Sequence, residues 1–373
     1  MLKRALVVGG GIAGTCCAIQ LRKAGVEVDL VEIDPHWGVL GAGLTITGPT
    51  LRALHVVGVL DEVKALGATW TGGKVHDQQG RLITEIQVEA LSPELPATGG
   101  ILRPLLHKVL AERTRAVGVN VRLGTTVTEV TITDEPAEAS FSDGTRGRYD
   151  LVVGADGIHS ALRGMILPDA PRPTFTGQVI YRLLARRPEG FECSHFYMGR
   201  DIKIGFNPVS ATHMYMFLLH PAPDKPWVDP KDQPARLHAL MEGYGGIVPE
   251  VRATVLGENA ASINYRPLEV MLVPRPWFRG RVVLIGDTVH ATTPHLASGA
   301  GMAIEDGIVL TEELQRHPSV GEALFAFQER RYERCAGIIR NSVRLGQLEM
   351  EHGSPVEHGK LMGESLKALR EPI

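Results

Sequence analysis

The sequence has few cysteines, little net charge and no long apolar run. Its four cysteines (Cys16, Cys17, Cys193 and Cys335) form no CxxC pair and no disulfide framework. A reducing, cytoplasmic setting is the expectation. A formal charge of −3 argues against nucleic acid or an anionic membrane as the main partner. Residues 5–21 carry no charge and follow Lys3-Arg4, as a signal peptide would. Gly9, Gly10, Gly11 and Gly14 interrupt them, however, which suits a strand–turn–helix and neither a signal helix nor a stable membrane insertion. Internal repeats and low-complexity tracts are also missing.

What remains is an ordinary globular mixture, 44% apolar and 22% charged, long enough at 373 residues for two domains. The run ALVV (Ala5–Val8) reads as a buried parallel strand. Gly9, Gly11 and Gly14 follow in GxGxxG spacing, then a helix to about Lys23, Gly25 as its terminator and a second strand ending at Glu32.

Each residue type has a physical reason. Gly9 permits the tight turn, Gly11 lets a pyrophosphate approach the backbone, and Gly14 lets the helix pack on the strand. The helix start, with Ile12 and Ala13, supplies free N–H groups and a partial positive charge. Glu32 lies 18 positions after Gly14. A carboxylate there accepts ribose hydroxyls and repels a 2′-phosphate, which points to FAD or NAD rather than NADP.

Two further strand-to-loop elements follow. In YDLVVGADGIHSALR (Tyr149–Arg163) an apolar strand enters Gly154, then Asp156-Gly157, with Ser160 and Arg163 on a helix. By spacing alone Asp156 is also compatible with a turn residue or an N-cap. In VVLIGDTVHATTPHLASGAGMAIEDG (Val282–Gly307) a strand enters Gly286-Asp287, then a loop marked by Pro294 and the small residues Gly299, Ala300 and Gly301.

The glycine fingerprint, ADGxxSxxR and the late Gly-Asp, in this order from Lys3 to about Leu345, resemble the class A flavoprotein aromatic hydroxylases, the p-hydroxybenzoate hydroxylase-like family. The resemblance implies an α/β fold: a Rossmann-like, glutathione-reductase-type FAD-binding domain with an inserted, mostly antiparallel β-sheet substrate domain and C-terminal helices. It implies that the first motif binds the ADP half of FAD, that Asp156 lies near the pyrophosphate, and that Asp287 holds a ribityl hydroxyl. Arg103, before an amphipathic helix, resembles the family arginine that contacts FAD phosphates or ribityl chain, and Val127 offers its backbone to adenine. Gly299, Ala300 and Gly301 leave room for the flavin ring, and a helix beginning near Gly301 aims its positive end at the ring's pyrimidine edge. Ala297-Ser298 and Thr50 stand where relatives carry Gln or Asn. His290 is read as a loop-ordering residue. No metal site is expected.

The reaction implied is hydroxylation of a small electron-rich aromatic or heteroaromatic by O2 through a flavin hydroperoxide, with NADH or NADPH as transient co-substrate. No second GxGxxG follows a strand, which disfavours a separate nicotinamide domain. Strand alternation puts His213, Tyr215 and Phe217 on one face of HMYMFLL and Met214, Met216 and Leu218 on the other. The first face is assigned to the substrate pocket, with Tyr215 and His213 as base or relay and Pro294 offering a carbonyl beside flavin and substrate. For His213 a strand-end surface position, and for Tyr215 ordinary core, remain open alternatives.

The expected FAD-binding domain is discontinuous (1–73, 98–172 and 267–345), the substrate domain comprises 74–97 and 173–266, and 346–373 form a helical tail. Two other readings compete: a different FAD oxidoreductase on this scaffold, halogenase- or reductase-like, and a non-catalytic flavoprotein redox sensor. The four tryptophans, Trp37, Trp70, Trp227 and Trp277, form no WxWxIP stretch of the kind halogenases carry.

Overall fold

The computed structural model describes residues 2–38, 41–133 and 135–373. Met1, Val39, Leu40 and Asp134, which fall within the expected FAD-binding segments, lie outside the described residues. A six-stranded sheet forms one layer, in the order Phe278–Arg279, Val282–Leu284, Leu151–Gly154, Arg4–Val8, Glu27–Glu32 and Asn120–Leu123. Leu151–Gly154, Arg4–Val8 and Glu27–Glu32 are parallel, with Ala5 level with both Leu151 and Val28. Their near-continuous Val and Leu content suits strands covered on both faces. Val282–Leu284 runs parallel beside Leu151–Gly154, so the three strands that lead into the glycine-bearing turns are neighbours, and the turns meet at one edge of the sheet. In open α/β sheets that carboxyl edge is where ligands bind.

The helix Ile12–Lys23 crosses this sheet and packs on the helix Gly299–Arg316. Their approach needs a glycine: a Cβ on Gly307 would sit 2.8 Å from the Cys17 backbone. A small antiparallel sheet of Gly43–Thr47, Thr98–Leu102 and Ala68–Trp70 flanks these helices.

The second large sheet has seven strands, in the order Asn264–Val270, Thr174–Arg186, His213–Pro221, Lys203–Pro208, Ser194–Met198, Gly73–Asp77 and Leu82–Ile86. It is antiparallel except where Ser194–Met198 runs parallel to Gly73–Asp77. The last two strands form a hairpin that turns through residues 78–81. Alternation divides its faces: Tyr181, Leu183, Met214, Met216 and Leu218 join a fully buried core on one side. The helices Gln233–Leu240 and Val248–Thr254 close that core with Leu237, Val248 and Val251. The sequence reading had not placed either helix. Tyr215 and Phe217 face the other way, toward Ala42, Leu102 and Val209.

Two helices complete the chain. Val320–Met350 begins where Ser319 Oγ accepts the Glu322 N–H, and Pro355–Arg370 where Ser354 Oγ accepts the Glu357 N–H. The first runs unbroken through residue 345, so the tail expected from 346 begins inside a helix. Arginines satisfy carbonyls that the last helix leaves open. Arg334 donates to Leu369 O at 2.9 Å, Arg52 to Arg370 O at 2.9 Å and to Glu371 O at 2.8 Å. Among the described residues no helix is long and apolar enough to cross a membrane.

Candidate active site

The glycine fingerprint divides into three physical roles. Gly9 has φ +104°, a conformation that disfavours side chains, and a Cβ there would lie 2.4 Å from Ala155 O. A Cβ on Gly14 would lie 1.9 Å from Gly9 O, so that helix and turn touch only because Gly14 is bare. Gly11 differs. A Cβ there would meet no protein atom within 4 Å, so protein packing does not require glycine at this position. Its bare backbone opens the start of a helix that has no side-chain cap. The N–H groups of Ile12, Ala13 and Gly14 are left to a ligand.

Glu32 stands at the end of the adjacent strand, half-buried. Its Oε2 accepts the Gly10 N–H at 2.6 Å and its Oε1 the Asp34 N–H at 2.8 Å. Each oxygen keeps a lone pair for a ribose hydroxyl. The Gly10 carbonyl is held from the other side by Trp37 Nε1 at 2.9 Å and His107 Nε2 at 3.0 Å. This clamp was not read from the sequence, because both partners are distant and carry no motif. Thr125 N–H bonds Glu32 O at 3.0 Å, which brings Val127 close; Val127–Val130 is the edge strand of a three-stranded sheet.

Asp156 is used locally. Its Oδ1 accepts the Ser160 hydroxyl at 2.6 Å and its Oδ2 the Leu162 N–H at 3.1 Å, so it shapes the start of the helix Ala161–Ile166. The same element docks on the Gly-Asp motif: Gly157 N–H donates to Thr288 Oγ1 at 3.1 Å and Arg163 to Thr288 O at 2.9 Å. The second motif thus acts as a buttress for the third.

Asp287 and Arg103 can be reached by solvent, yet each is ringed closely by protein atoms. A group that is both accessible and surrounded lines a deep cleft. Burial raises the Asp287 carboxyl above its ordinary value, against the opposing pull of His290 and Arg103. Burial likewise lowers the Arg103 guanidinium, which Asp287 favours and Arg182 opposes. Arg103 thus lies close enough to both Asp287 and Arg182 for their charges to act on it, with one cation in excess. Arg182 was not singled out from the sequence, since an arginine on a strand is ordinarily a solvated side chain.

The small residues after Pro294 open the helix Gly299–Arg316. The helix begins at Gly299, so Gly299, Ala300 and Gly301 form its first turn. A Cβ on Gly301 would meet Thr50 Oγ1 at 2.3 Å, so packing against the helix Gly48–Val57 also demands glycine there. Ser298 Oγ bonds Leu296 O at 2.6 Å and does not cap the helix. Its first N–H groups point out, as in the first motif. The Pro294 carbonyl accepts the Ala297 N–H at 3.0 Å, leaving one lone pair.

On the sheet facing this loop, Tyr215 is buried and its hydroxyl receives Arg182 Nε at 3.1 Å. His213 lies at the half-buried strand start, bonded to Thr212 Oγ1 at 2.9 Å. It shares the face of Tyr215 but not its surroundings. Behind the loop, His295 Nδ1 pairs with Thr293 Oγ1 at 2.8 Å, and its Nε2 lies 3.3 Å from Glu349 Oε2. Glu349 also pairs with Lys203 and with His358.

The residues present fit FAD. Two uncapped helix starts aim N–H groups at the cleft, Gly11 keeps the first of them open, and Glu32, Arg103 and Asp287 are spaced along it. A family model described as an FAD binding domain matches residues 3–342. A Bacillus subtilis (strain 168) protein, YetM, described as a candidate FAD-dependent monooxygenase, is 33% identical over 99% of this chain and 100% of its own length. The 2-heptyl-3-hydroxy-4(1H)-quinolone synthase of Pseudomonas aeruginosa is 30% identical over 92% of this chain and 88% of its own. The structure of Klebsiella pneumoniae HpxO with FAD and uric acid superposes with a TM-score of 0.83 at 24% identity, covering 99% of this chain and 93% of that one, and shares the fold. With the cleft and these matches together, the chain is an FAD-dependent monooxygenase of the class A flavoprotein aromatic hydroxylase family.

Proposed function

We propose that the protein hydroxylates a small electron-rich aromatic or heteroaromatic ring, beside an existing hydroxyl or amino group, at the expense of NAD(P)H and O2. The observation that carries this reading is the Arg182–Tyr215 pair on the sheet face that packs against Ala42 and Leu102, beside Arg103. The relatives named 2-heptyl-3-hydroxy-4(1H)-quinolone synthase and 3-amino-4-hydroxybenzoate 2-monooxygenase, each 30% identical, support the substrate class. When bound, FAD supplies the redox chemistry, taking electrons from the nicotinamide and activating O2 toward an electron-rich carbon.

The protein's own part is binding, orientation and charge. Glu32 and the first helix start hold the ADP half, and Arg103 and Asp287 hold the middle of the cofactor. The positive end of the helix Gly299–Arg316 favours negative charge on the ring. Arg182, with its Nη groups uncommitted to Tyr215, attracts the substrate's ionising oxygen. Tyr215 donates its hydroxyl proton to that oxygen, and Phe217 and Leu184 pack beside Tyr215 to limit water. Pro294 offers a carbonyl edge to the substrate, and His213 stands at the rim. The four free cysteines suit a cytoplasmic setting.

The test is a panel of phenols, hydroxyquinolones and aminophenols, scored by stimulation of NAD(P)H oxidation in the FAD-loaded enzyme. A substrate is expected to accelerate oxidation and to yield a hydroxylated ring. Stimulation by none of them, or oxidation yielding only peroxide with every one, would reject the reading.

A further inference from the structure

The short helix Asp287–His290 sits on a fully buried carboxylate that no motif assigned. Asp306 Oδ2 accepts the Gly286 N–H at 2.7 Å and contacts His290 Nε2 at 2.5 Å. One oxygen thus ties the residue before this helix and its last residue together. Gly286 itself has φ +63°, and a Cβ there would lie 2.8 Å from Ala13 Cβ. The turn is therefore wedged against the first helix in front and pinned by Asp306 behind.

The other oxygen reaches a third element. Asp306 Oδ1 accepts Arg331 Nε at 2.8 Å, and Arg331 also donates to Glu305 Oε2 at 2.7 Å and to Met302 O at 3.1 Å. Arg331 is fully buried. It locks the long C-terminal helix to the helix whose first turn is Gly299–Gly301, so a single network holds both late segments that line the cleft. His290, Asp306 and Cys335 converge within 4.8 Å, but the Arg331 guanidinium bonds two of them, Asp306 and Cys335. An arginine already supplies the positive charge there, which makes a cation site unfavourable.

We propose that Asp306 is a positioning residue for FAD: through Gly286 and His290 it fixes the place and the charge of Asp287. Asp306 keeps its carboxylate despite burial because His290 and Arg331 face it, and His290 is held protonated by the same contact. The resulting imidazolium in turn favours the ionised form of Asp287, against the weaker opposing pull of Asp306 itself. Replacing one Asp306 oxygen by an amide leaves either Arg331 or the Gly286 N–H facing a donor inside the protein. A buried charged network adds little net stability over apolar packing; its location behind the cofactor turn gives it a use that packing alone does not.

The inference rests on Asp287 holding FAD, so Asp287→Ala is measured beside it. FAD dissociation constants of the apoproteins are to be read by flavin fluorescence, with visible circular dichroism of the bound flavin as the spectroscopic signature. Asp306→Asn is expected to weaken FAD roughly tenfold and to alter that signature. Asp29→Asn is the control: it removes another buried carboxylate, bonded to Arg4, Asn120 and Tyr149 on the second strand, and is expected to lower stability without changing FAD affinity. Wild-type affinity in Asp306→Asn, or an equal loss in Asp29→Asn, overturns the proposal. Should Asp306→Asn fail to fold, His290→Gln carries the test. It keeps a donor but loses the cation, and wild-type FAD affinity in it would overturn the proposal. An unchanged dissociation constant in Asp287→Ala alone would instead overturn the role of Asp287, with the Asp306 result read separately.

Discussion

Arg182 donates its Nε–H to the hydroxyl of Tyr215 at 3.1 Å, across neighbouring strands of the seven-stranded sheet. A phenol hydroxyl has one proton to give and two lone pairs. The arginine takes a lone pair, so the proton of Tyr215 remains available to a substrate oxygen.

Tyr215→Phe should therefore lower product formation about tenfold or more and raise peroxide release, while reduction of FAD by NAD(P)H persists. Parallel assays of product, peroxide and nicotinamide oxidation check this. Unchanged coupling would leave Tyr215 as core and nothing more.

The three fingerprint glycines should separate in their effects. Gly11→Ala places a methyl where no protein atom lies within 4 Å, so apoprotein stability should stay within about 0.5 kcal/mol of wild type. FAD binding should nonetheless fall sharply. Gly9→Ala and Gly14→Ala must push against backbone at 2.4 and 1.9 Å and should destabilise the apoprotein itself. Thermal melts with and without FAD distinguish the two classes.

Much of this division was legible beforehand, because glycine spacing encodes backbone geometry. The FAD-binding fold and the two faces of residues 213–218 followed from local patterns. The packing of Gly301 against Thr50 did not, because a bare helix turn looks the same whether a cofactor or a side chain approaches it. Arg182, Trp37, His107, Asp306 and Arg331 were also invisible. Each acts through a partner distant in the chain, and a lone polar residue inside an apolar strand or helix gives no periodic signal. Asp156 was read through the family resemblance as a pyrophosphate neighbour, and its local use as a helix-start acceptor was the plainer alternative.

Asp287 should cost stability while binding FAD. Burial raises its carboxyl above the ordinary value, so its contribution to folding is most favourable below about pH 3.9, the value in an unfolded chain, and is lost as pH rises through the folded value. Asp287→Asn should then raise the apoprotein melting temperature at pH 7, with the gain fading toward pH 3, and should weaken FAD binding. A lower melting temperature at pH 7 would contradict the sign.

Glu349 behaves oppositely. Lys203 and its histidine neighbours hold its carboxyl well below the usual range despite burial, so the pair stabilises the fold above about pH 4.3 and that stability is lost as pH falls through the folded value. Glu349→Gln leaves Lys203, 15% exposed, without a counter-charge and should cost about 3 kcal/mol in urea unfolding at pH 7. Lys203→Met in the same chain should recover much of the loss.

Glu32→Ala should weaken FAD by about 1.5–3 kcal/mol, as for a hydrogen bond to a charged group. Because Glu32 also accepts the Gly10 N–H, part of that loss comes from the loosened turn. Titration of apoprotein with FAD measures the total, and no loss would reduce Glu32 to a strand end.

The hydroxylation itself is decided by mass spectrometry of the product formed under ¹⁸O₂ from the substrate that best accelerates NAD(P)H oxidation. One labelled oxygen atom on the ring is the expected result. A product without that label, or with oxygen drawn from water, would contradict the assignment of the reaction.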